Sequence, residues 1–471
     1  MAESFAAVVA ANRFGLGARP GELALIGGDG REWLRAQLRA PPPVLTAPEL
    51  RPSAQILAQA LELRHEIQAQ RRQETAAASA AAGDAADPTR QRLPQFLRPI
   101  YRAEVTARLQ HVVSTERPFL ERLTQFWSNH FAVSIDKQFL AGLAGSFERE
   151  AIRPHVLGSF TDMLLAVETH PAMQLYLDNY LSVGPNSPAA QRRARHQAAR
   201  IGINENLARE ILELHTLGVG GGYTQQDVTT FAQVLTGWSI GGEGGRFGGG
   251  EPGRFVFRPE LHEPGAKVVL GRRYADEGFE QGVAVLRDLA RERATAHFVA
   301  SKLARHFIAD EPPTAAVVRL ADAFVRTGGD LPSIYGALID AREAWLQPLA
   351  KYKTPADYVV SSWRGLEVPV EADHAPLAAF ELLGQRTWSP GAPAGWPDRG
   401  ADWDGASALM KRIQWADALG ARLGNRRDAM RLAPQLLGAS LTAGTRQAVA
   451  HAASAAQALT LLLAAPEFMR R

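Results

Sequence analysis

The 471-residue chain contains no cysteine. This absence excludes disulfides, zinc–thiolate and iron–sulfur sites, and thiol nucleophiles. A bound metal would need histidine, carboxylate, backbone or water ligands, so the cofactor class left open is a divalent or iron-type metal ion. No apolar run approaches the ~20 residues of a membrane-spanning helix. Because the first residues also lack a basic segment followed by an apolar one, we expect no signal peptide and a cytoplasmic location.

Charge of one sign is not in excess, because 52 basic and 49 acidic residues leave a formal net charge of +3. No basic patch is interleaved with aromatic residues, which disfavours nucleic-acid binding. Strand signals are scarce, whereas apolar residues recur at three- and four-residue spacing along most of the chain. The sequence therefore predicts an all-α, multi-helix globular protein with at most one small β-hairpin near 254–270, pairing 254–258 with 267–270.

A chain of this length exceeds what one core usually holds, so packed subregions are expected. The predicted organisation is an N-terminal helical region (1–72), a low-complexity insertion (73–92), a central helical core with the candidate site (93–240), a glycine-rich loop (241–253) and a C-terminal helical region (254–471). The last region is expected to pack with the core as one unit. The glycine-rich loop is typical of a surface connector, and a lid over the site is the alternative.

The stretch 202–238 concentrates more polar side chains on predicted helices than folding alone requires. On a helical wheel of about 100° per residue, residues 205–217 separate into two faces. The apolar face consists of Leu207, Ala208, Ile211 and Leu214, with His215 inside it. The neighbouring polar flank consists of Asn206, Glu210 and Glu213. This crowding marks the candidate site.

Glu210 and Glu213 stand three residues apart on one flank, a spacing that allows two carboxylates to ligate one ion or share a proton. Carboxylates paired with arginines for structural reasons are the commoner outcome of such a pattern. If the site is catalytic, Arg209 binds an acidic substrate and Asp227 supplies a further carboxylate. The substrate-binding candidates are Asn204, Asn206, Tyr223 and Trp238.

Three histidines elsewhere are candidate metal ligands together with Glu210 and Glu213. His130 continues an apolar helical stripe, which is more typical of a core histidine bonded to a partner than of a ligand. His170 precedes Pro171 and is predicted to lie at a helix N-cap. His262 lies in a predicted turn, where histidines are usually exposed.

The chain resembles the bacterial family known as domain of unknown function 1800. The motifs that carry the resemblance are RFGLGARPGE near the start, FWSNHFAVS at 126–134, HPAMQLYLDN at 170–179, NENLAREILELHTLG at 204–218, GYTQQDV at 222–228, LTGW at 235–238, FVFRPELHEPGAK, TAHFVASKLARHFIADEPP at 295–313, GWPD at 395–398 and APEFMRR at the end. The resemblance implies a mostly helical protein, often encoded beside a sulfatase-like family, domain of unknown function 1501, which is the candidate partner. It implies no particular reaction. The family often has His at the position of Ser128 and Asp at that of Glu263.

Three functional hypotheses follow. The first is an enzyme with a His/Glu/Asp site, plausibly metal-dependent, with an oxidoreductase slightly preferred to a hydrolase because helical carboxylate–histidine scaffolds often host iron. The second is acid–base catalysis without a metal, in which Glu210 or Glu213 is tuned by burial. The third is a non-catalytic binding or assembly protein whose polar cluster fixes helix packing.

Overall fold

The structure is a computed structural model that describes residues 4–77, 89–195, 202–242, 248–346, 349–370 and 375–471. The chain is 63% helical and 4% strand, so the prediction of a mainly α-helical protein is confirmed. The core of 93–240 and the region 254–471 contribute to one continuous cluster of buried apolar side chains. Most of the predicted insertion at 73–92 and the centre of the glycine-rich loop lie outside the described residues, and the lid prediction falls there with them.

The first half of the described chain contains twelve α-helices. They are α1 (Phe5–Val8), α2 (Glu22–Ile26), α3 (Gly30–Leu38), α4 (Ser53–Ala77), α5 (Thr89–Ser114), α6 (Pro118–His130), α7 (Leu140–Phe147), α8 (Phe160–Glu168), α9 (Pro171–Tyr176), α10 (Pro188–Arg195), α11 (Asn206–Glu210) and α12 (Gln225–Val234). Three short π-helical segments interrupt or extend these helices, at Val9–Phe14, Glu148–Ile152 and Ile211–His215.

Ten more α-helices follow in the described second half. They are α13 (Phe279–Leu289), α14 (Arg293–Phe307), α15 (Thr314–Thr327), α16 (Leu331–Asp340), α17 (Pro355–Gly365), α18 (Ala375–Leu382), α19 (Ala406–Leu423), α20 (Ala429–Leu437), α21 (Ala443–Ala450) and α22 (Ala455–Leu463). Helices α17, α18 and α20 lie in segments where the apolar spacing alone predicted none.

Apolar spacing predicts, among others, helices over 97–131, 138–168, 293–309 and 314–327, and the first two are broken where proline requires it. The predicted helix 97–131 divides into α5 and α6, because Pro118 disfavours a helical Arg117 and suits the first turn of a new helix. The predicted helix 138–168 divides near Pro154, and α8 begins afresh after Ser159, whose side chain accepts a hydrogen bond from the backbone of Asp162.

The predicted pairing of 254–258 with 267–270 is wrong. Strand β1 (Trp238–Ile240) pairs with β2 (Phe255–Phe257), and β3 (Lys267–Val269) pairs with β4 (Arg272–Tyr274), both antiparallel. Leu270 and Gly271 connect β3 to β4 with φ values of 51° and 74°. Two consecutive left-handed residues form the kind of two-residue turn that matches hairpin twist, so the local turn outcompetes the longer connection.

Helix α6 runs through the middle of the buried cluster and positions the residues of the site. Phe119, Phe126 and Trp127 are almost completely buried, and the indole of Trp127 donates a hydrogen bond of 2.6 Å to the hydroxyl of Tyr335. The last residue of the helix, His130, is 1% exposed, as its place in the apolar stripe predicts. The end of α8 and the π segment Ile211–His215 meet it there.

Candidate functional site

Part of the polar cluster of 202–238 joins α11 to α12. The guanidinium of Arg209 lies 3.0 Å from both the Glu205 carboxylate and the Gln225 side-chain oxygen. Thr229 donates to the second carboxylate oxygen of Glu205 at 2.7 Å. The predicted substrate anchor Arg209 is therefore already engaged in a network that orients two helices.

Asp227 and Asn204 are likewise engaged with the backbone. Asp227 forms a capping box with Thr224 at the start of α12, and its other oxygen accepts a 2.7 Å hydrogen bond from Leu270 N–H. Asn204 donates its amide to the carbonyls of Leu177 and Asp178 at 3.3 and 3.2 Å. Both side chains hold loops and helix ends in place.

The other three predicted substrate-binding residues are not brought together. Asn206 is exposed, and Trp238 is completely buried against Phe255. The hydroxyl of Tyr223 donates a hydrogen bond to Glu213, and burial together with that carboxylate raises the pKa of Tyr223.

The three histidines predicted as metal ligands lie in separate places. His130 Nε2 donates a hydrogen bond of 3.1 Å to the backbone carbonyl oxygen of His215. His170 caps α9 as predicted, accepting from Ala172 N–H, and its Nε2 lies 3.2 Å from the Glu150 carboxylate. Within the described part of the chain, no three or more His, Asp or Glu side chains are placed to hold one metal ion.

His262 differs from the expectation for a turn histidine because it is only 5% exposed. Its Nδ1 lies 2.9 Å from the Thr236 carbonyl oxygen, and its ring packs against Phe257. The residues after His262 turn inward because the Lys267 ammonium donates to three successive carbonyls, those of Glu263, Pro264 and Gly265. Burial lowers the pKa of His262.

A buried carboxylate–histidine dyad lies at the centre of the candidate site. His215 Nδ1 is 2.8 Å from Glu168 Oε1, and the two side chains are 1% and 0% exposed. In the neutral imidazole, the bond to a carboxylate places the proton on Nδ1 and leaves a lone pair on Nε2. This Nε2 has no hydrogen-bond partner among the described residues.

The π turn brings Glu210 to the same side as His215. In a regular α-helix, residues five apart would point roughly 140° away from one another. Closing the turn by i→i+5 hydrogen bonding stacks them more nearly above one another, and Ile211–His215 is such a turn directly after Glu210. π turns often occur at functional sites for this reason.

Glu210 is half-buried and makes no hydrogen bond or ion pair with any described residue. Burial raises the pKa of Glu210, and the carboxylates of Glu213 and Glu168 add to the rise, while His215 and Arg209 oppose it. A partly buried carboxyl with a raised pKa can donate a proton near neutrality more readily than an ordinary glutamate.

Lys302 on α14 is a further charged group on this side of the core. It is partly buried, and its ammonium has no hydrogen bond or ion pair with a described residue; it lies 5.7 Å from the centre of the Phe298 ring. Burial lowers the pKa of Lys302 to about 8. The His130 ring is buried beside it, and burial followed by the charge of Lys302 lowers the pKa of His130 well below its ordinary value.

A second carboxylate–histidine dyad holds the GWPD loop at 395–398. His306 Nδ1 is 3.0 Å from Asp398 Oδ1, and the Asn129 amide exchanges two hydrogen bonds with the backbone of Trp396. Gly395 has φ of 82°, and a Cβ there would lie 2.3 Å from the Asn129 carbonyl oxygen. The loop is thus clamped at both ends of the motif.

The charges around this second dyad keep His306 neutral. Burial lowers the pKa of His306 to about 4, and Arg471 adds to the effect against the opposing bond to Asp398. Although burial alone would raise it, the hydrogen bond to His306 and neighbouring cations lower the pKa of Asp398 to about 2. A cavity of about 110 Å³ is lined by both residues of the dyad, together with Ser128, Asn129 and Trp396 among others.

Sequence reasoning did not select Glu168, His215, Lys302, His306 or Asp398 as site residues. Four of the five lie inside motifs that carry the family resemblance, and Glu168 lies two residues before one of them. A histidine on an apolar helical face needs a buried partner. That signal was present for His215, but the partner, Glu168, is 47 residues away in the chain and could not be identified from spacing.

These features define a mainly helical protein with a buried His215–Glu168 dyad and a partly buried His306–Asp398 dyad. A family model described as a protein of unknown function (DUF1800) matches residues 9–470, and the chain belongs to that family. Searches of curated proteins and of solved structures found no match. None of the described helices is both long and apolar enough to cross a bilayer.

Proposed function

We propose that the protein is an acid–base enzyme in which His215 is the general base. The observation that carries the proposal is the ring nitrogen Nε2 of His215, which has no hydrogen-bond partner among the described residues, opposite an Nδ1 that is held by Glu168 at 2.8 Å. A neutral imidazole fixed in this tautomer by a buried carboxylate is suited to accept a proton from water or from a substrate hydroxyl.

Glu168 has a positioning role in this proposal, because it fixes the ring and stabilises the imidazolium that forms when Nε2 takes a proton. Glu210 is the proton donor, since burial raises its pKa and no described cation neutralises it. A carboxyl with a raised pKa that can donate a proton, beside an imidazole that can accept one, is a usual sign of an acid–base pair.

The reaction class that this pair favours is hydrolysis, with water activated at Nε2 and the leaving group protonated by Glu210. Lys302 would attract an anionic substrate or stabilise developing negative charge. Metal dependence and a partner from the sulfatase-like family stay predictions of the sequence. The third hypothesis, in which the polar cluster only fixes helix packing, is supported for the Glu205–Arg209–Gln225 network between α11 and α12, and not for Glu210.

The proposal is tested with p-nitrophenyl acetate as an activated ester probe. We expect His215→Asn to lower kcat/KM by about 100-fold or more, and Glu210→Gln by about tenfold, in the range for losing a general acid or base. His297→Asn is the matched control, since His297 is an exposed histidine on α14.

Glu210→Gln also separates chemistry from folding, because the Glu210 carboxyl has no hydrogen bond or ion pair with a described residue that the substitution would break. Ester hydrolysis that is unchanged in both His215→Asn and Glu210→Gln would overturn the proposal. Equal loss in His297→Asn would show that the signal is nonspecific and would count against it as well.

A further inference from the structure

A groove beside helix α5 is separate from the residues that the proposed reaction uses. Its volume is about 460 Å³, within the range of small-molecule sites. The floor is apolar, formed by Leu97, Ile135 and Phe380 among others. The hydroxyl of Tyr101 in its wall donates to the Thr387 carbonyl at 3.0 Å, so this polar group is already satisfied.

The rim of the groove is cationic. Arg98 and Arg102 line it from α5, four residues apart, and both are exposed. Neither makes a hydrogen bond, an ion pair or a ring contact with any described residue. Like charges at this spacing weakly repel one another, so helix stability gives no reason for the pair.

A third guanidinium, that of Arg386, lines the groove from the opposite side, and its nearest carboxylate, Asp136, is 3.9 Å away. Among the lining residues that the structure describes, Glu381 is the one acidic residue, so these residues include two more cations than anions. Phe380, Arg386 and Thr387 also line the cavity next to the GWPD loop, so the two spaces adjoin.

We propose that this groove binds a free organic carboxylate with an apolar body. The apolar floor removes the hydrocarbon part from water, and the arginine rim pairs with the carboxylate, for which planar guanidinium groups are well suited. The binding is independent of the reaction proposed at His215.

The test uses three probes with the purified protein in isothermal titration calorimetry. Decanoate should bind saturably; decanol, with the same chain and no charge, and acetate, with the charge and no chain, should each bind at least about tenfold more weakly. The double substitution Arg98→Gln/Arg102→Gln should weaken decanoate binding by about tenfold and leave decanol binding unchanged.

Arg422→Gln/Arg426→Gln is the matched control, because these are also two exposed arginines four residues apart without side-chain partners among the described residues. It should leave decanoate binding unchanged. The proposal is overturned if decanol binds as tightly as decanoate, or if both double variants behave alike. It is also overturned if the protein binds vesicles of phosphatidylcholine with phosphatidylglycerol but not free decanoate.

His215→Asn distinguishes the two proposals. If the wild type has no esterase activity but both it and His215→Asn bind decanoate, the groove proposal stands and the reaction proposal is rejected. Esterase activity that depends on His215 in a protein that does not bind decanoate would reject the groove alone.

Discussion

The two carboxylate–histidine dyads use the same chemistry for different ends. In both, a histidine Nδ1 is hydrogen-bonded to a carboxylate, at 2.8 Å for His215 with Glu168 and 3.0 Å for His306 with Asp398. The Glu168 pair joins core helices, and the Glu168 and His215 side chains are 0% and 1% exposed, whereas the His306 pair clamps a loop and its side chains are 12% and 17% exposed. The half-buried carboxyl of Glu210 on the side of His215, and not the dyad itself, separates the candidate base from the structural clamp.

The largest expected effect concerns stability. Glu168→Ala should lower the free energy of unfolding by about 3–5 kcal/mol, because it leaves a completely buried imidazole N–H without an acceptor and also opens a cavity where the Glu168 side chain was packed. Asp398→Ala should cost only about 1–2 kcal/mol, since the Asp398 side chain retains 17% exposure and water can replace it. Urea unfolding followed by circular dichroism measures both.

Glu168→Gln is the control, because it keeps an oxygen acceptor at the same length and should recover most of the loss. A Glu168→Ala protein that is no less stable than Asp398→Ala would contradict the view that the first dyad is the more deeply integrated one.

Acidification should act through His306. Its pKa is about 4 in the folded protein and about 6.5 when unfolded, so between these values the unfolded chain binds the extra proton and stability falls as pH falls. The stability contribution is complete above about pH 6.5. From pH 7 to pH 5 the loss through this group should be about 2 kcal/mol.

The pH effect is measured by urea unfolding of the wild type and His306→Asn at both pH values. The variant should lose about 2 kcal/mol less than the wild type, because only the wild type contains the titrating ring. His130 titrates in both proteins and cancels from the difference. Parallel losses in the two proteins would refute the assignment to His306.

Much of the fold followed from helical apolar spacing, because that spacing is local. Helices such as α14 and α15 begin and end close to the predicted positions, and the buried place of His130 followed from its stripe. The predicted pairing of 254–258 with 267–270 was wrong because Leu270 and Gly271, both in the left-handed conformation, form a local turn. Apolar periodicity does not reveal such a turn.

The site was located only in part, because dyads join residues far apart in sequence. The helical wheel placed Glu210 on the polar flank and so predicted it as a site residue. In the structure its carboxyl is half-buried and has no partner among the described residues, which is the physical basis for that prediction. The wheel placed His215 away from Glu210, since it assumed a regular α-helix where the chain forms a π turn. Arg209 and Asp227 have the residue types of a site, but their partners could be identified only in three dimensions.

The smallest expected effect tests whether Glu210 belongs to the structure or to the chemistry. Glu210→Gln should change the free energy of unfolding by less than about 0.5 kcal/mol. The half-buried carboxyl has no hydrogen bond or ion pair with a described residue, and the neutral amide removes the repulsion from Glu213 and Glu168. Glu168→Gln, measured in the same urea experiment, shows the response of a carboxylate that does have a buried partner. If Glu210→Gln instead lost several kcal/mol, Glu210 would be one of the structural carboxylates that the sequence pattern also allowed, and His215 would have no proton donor beside it.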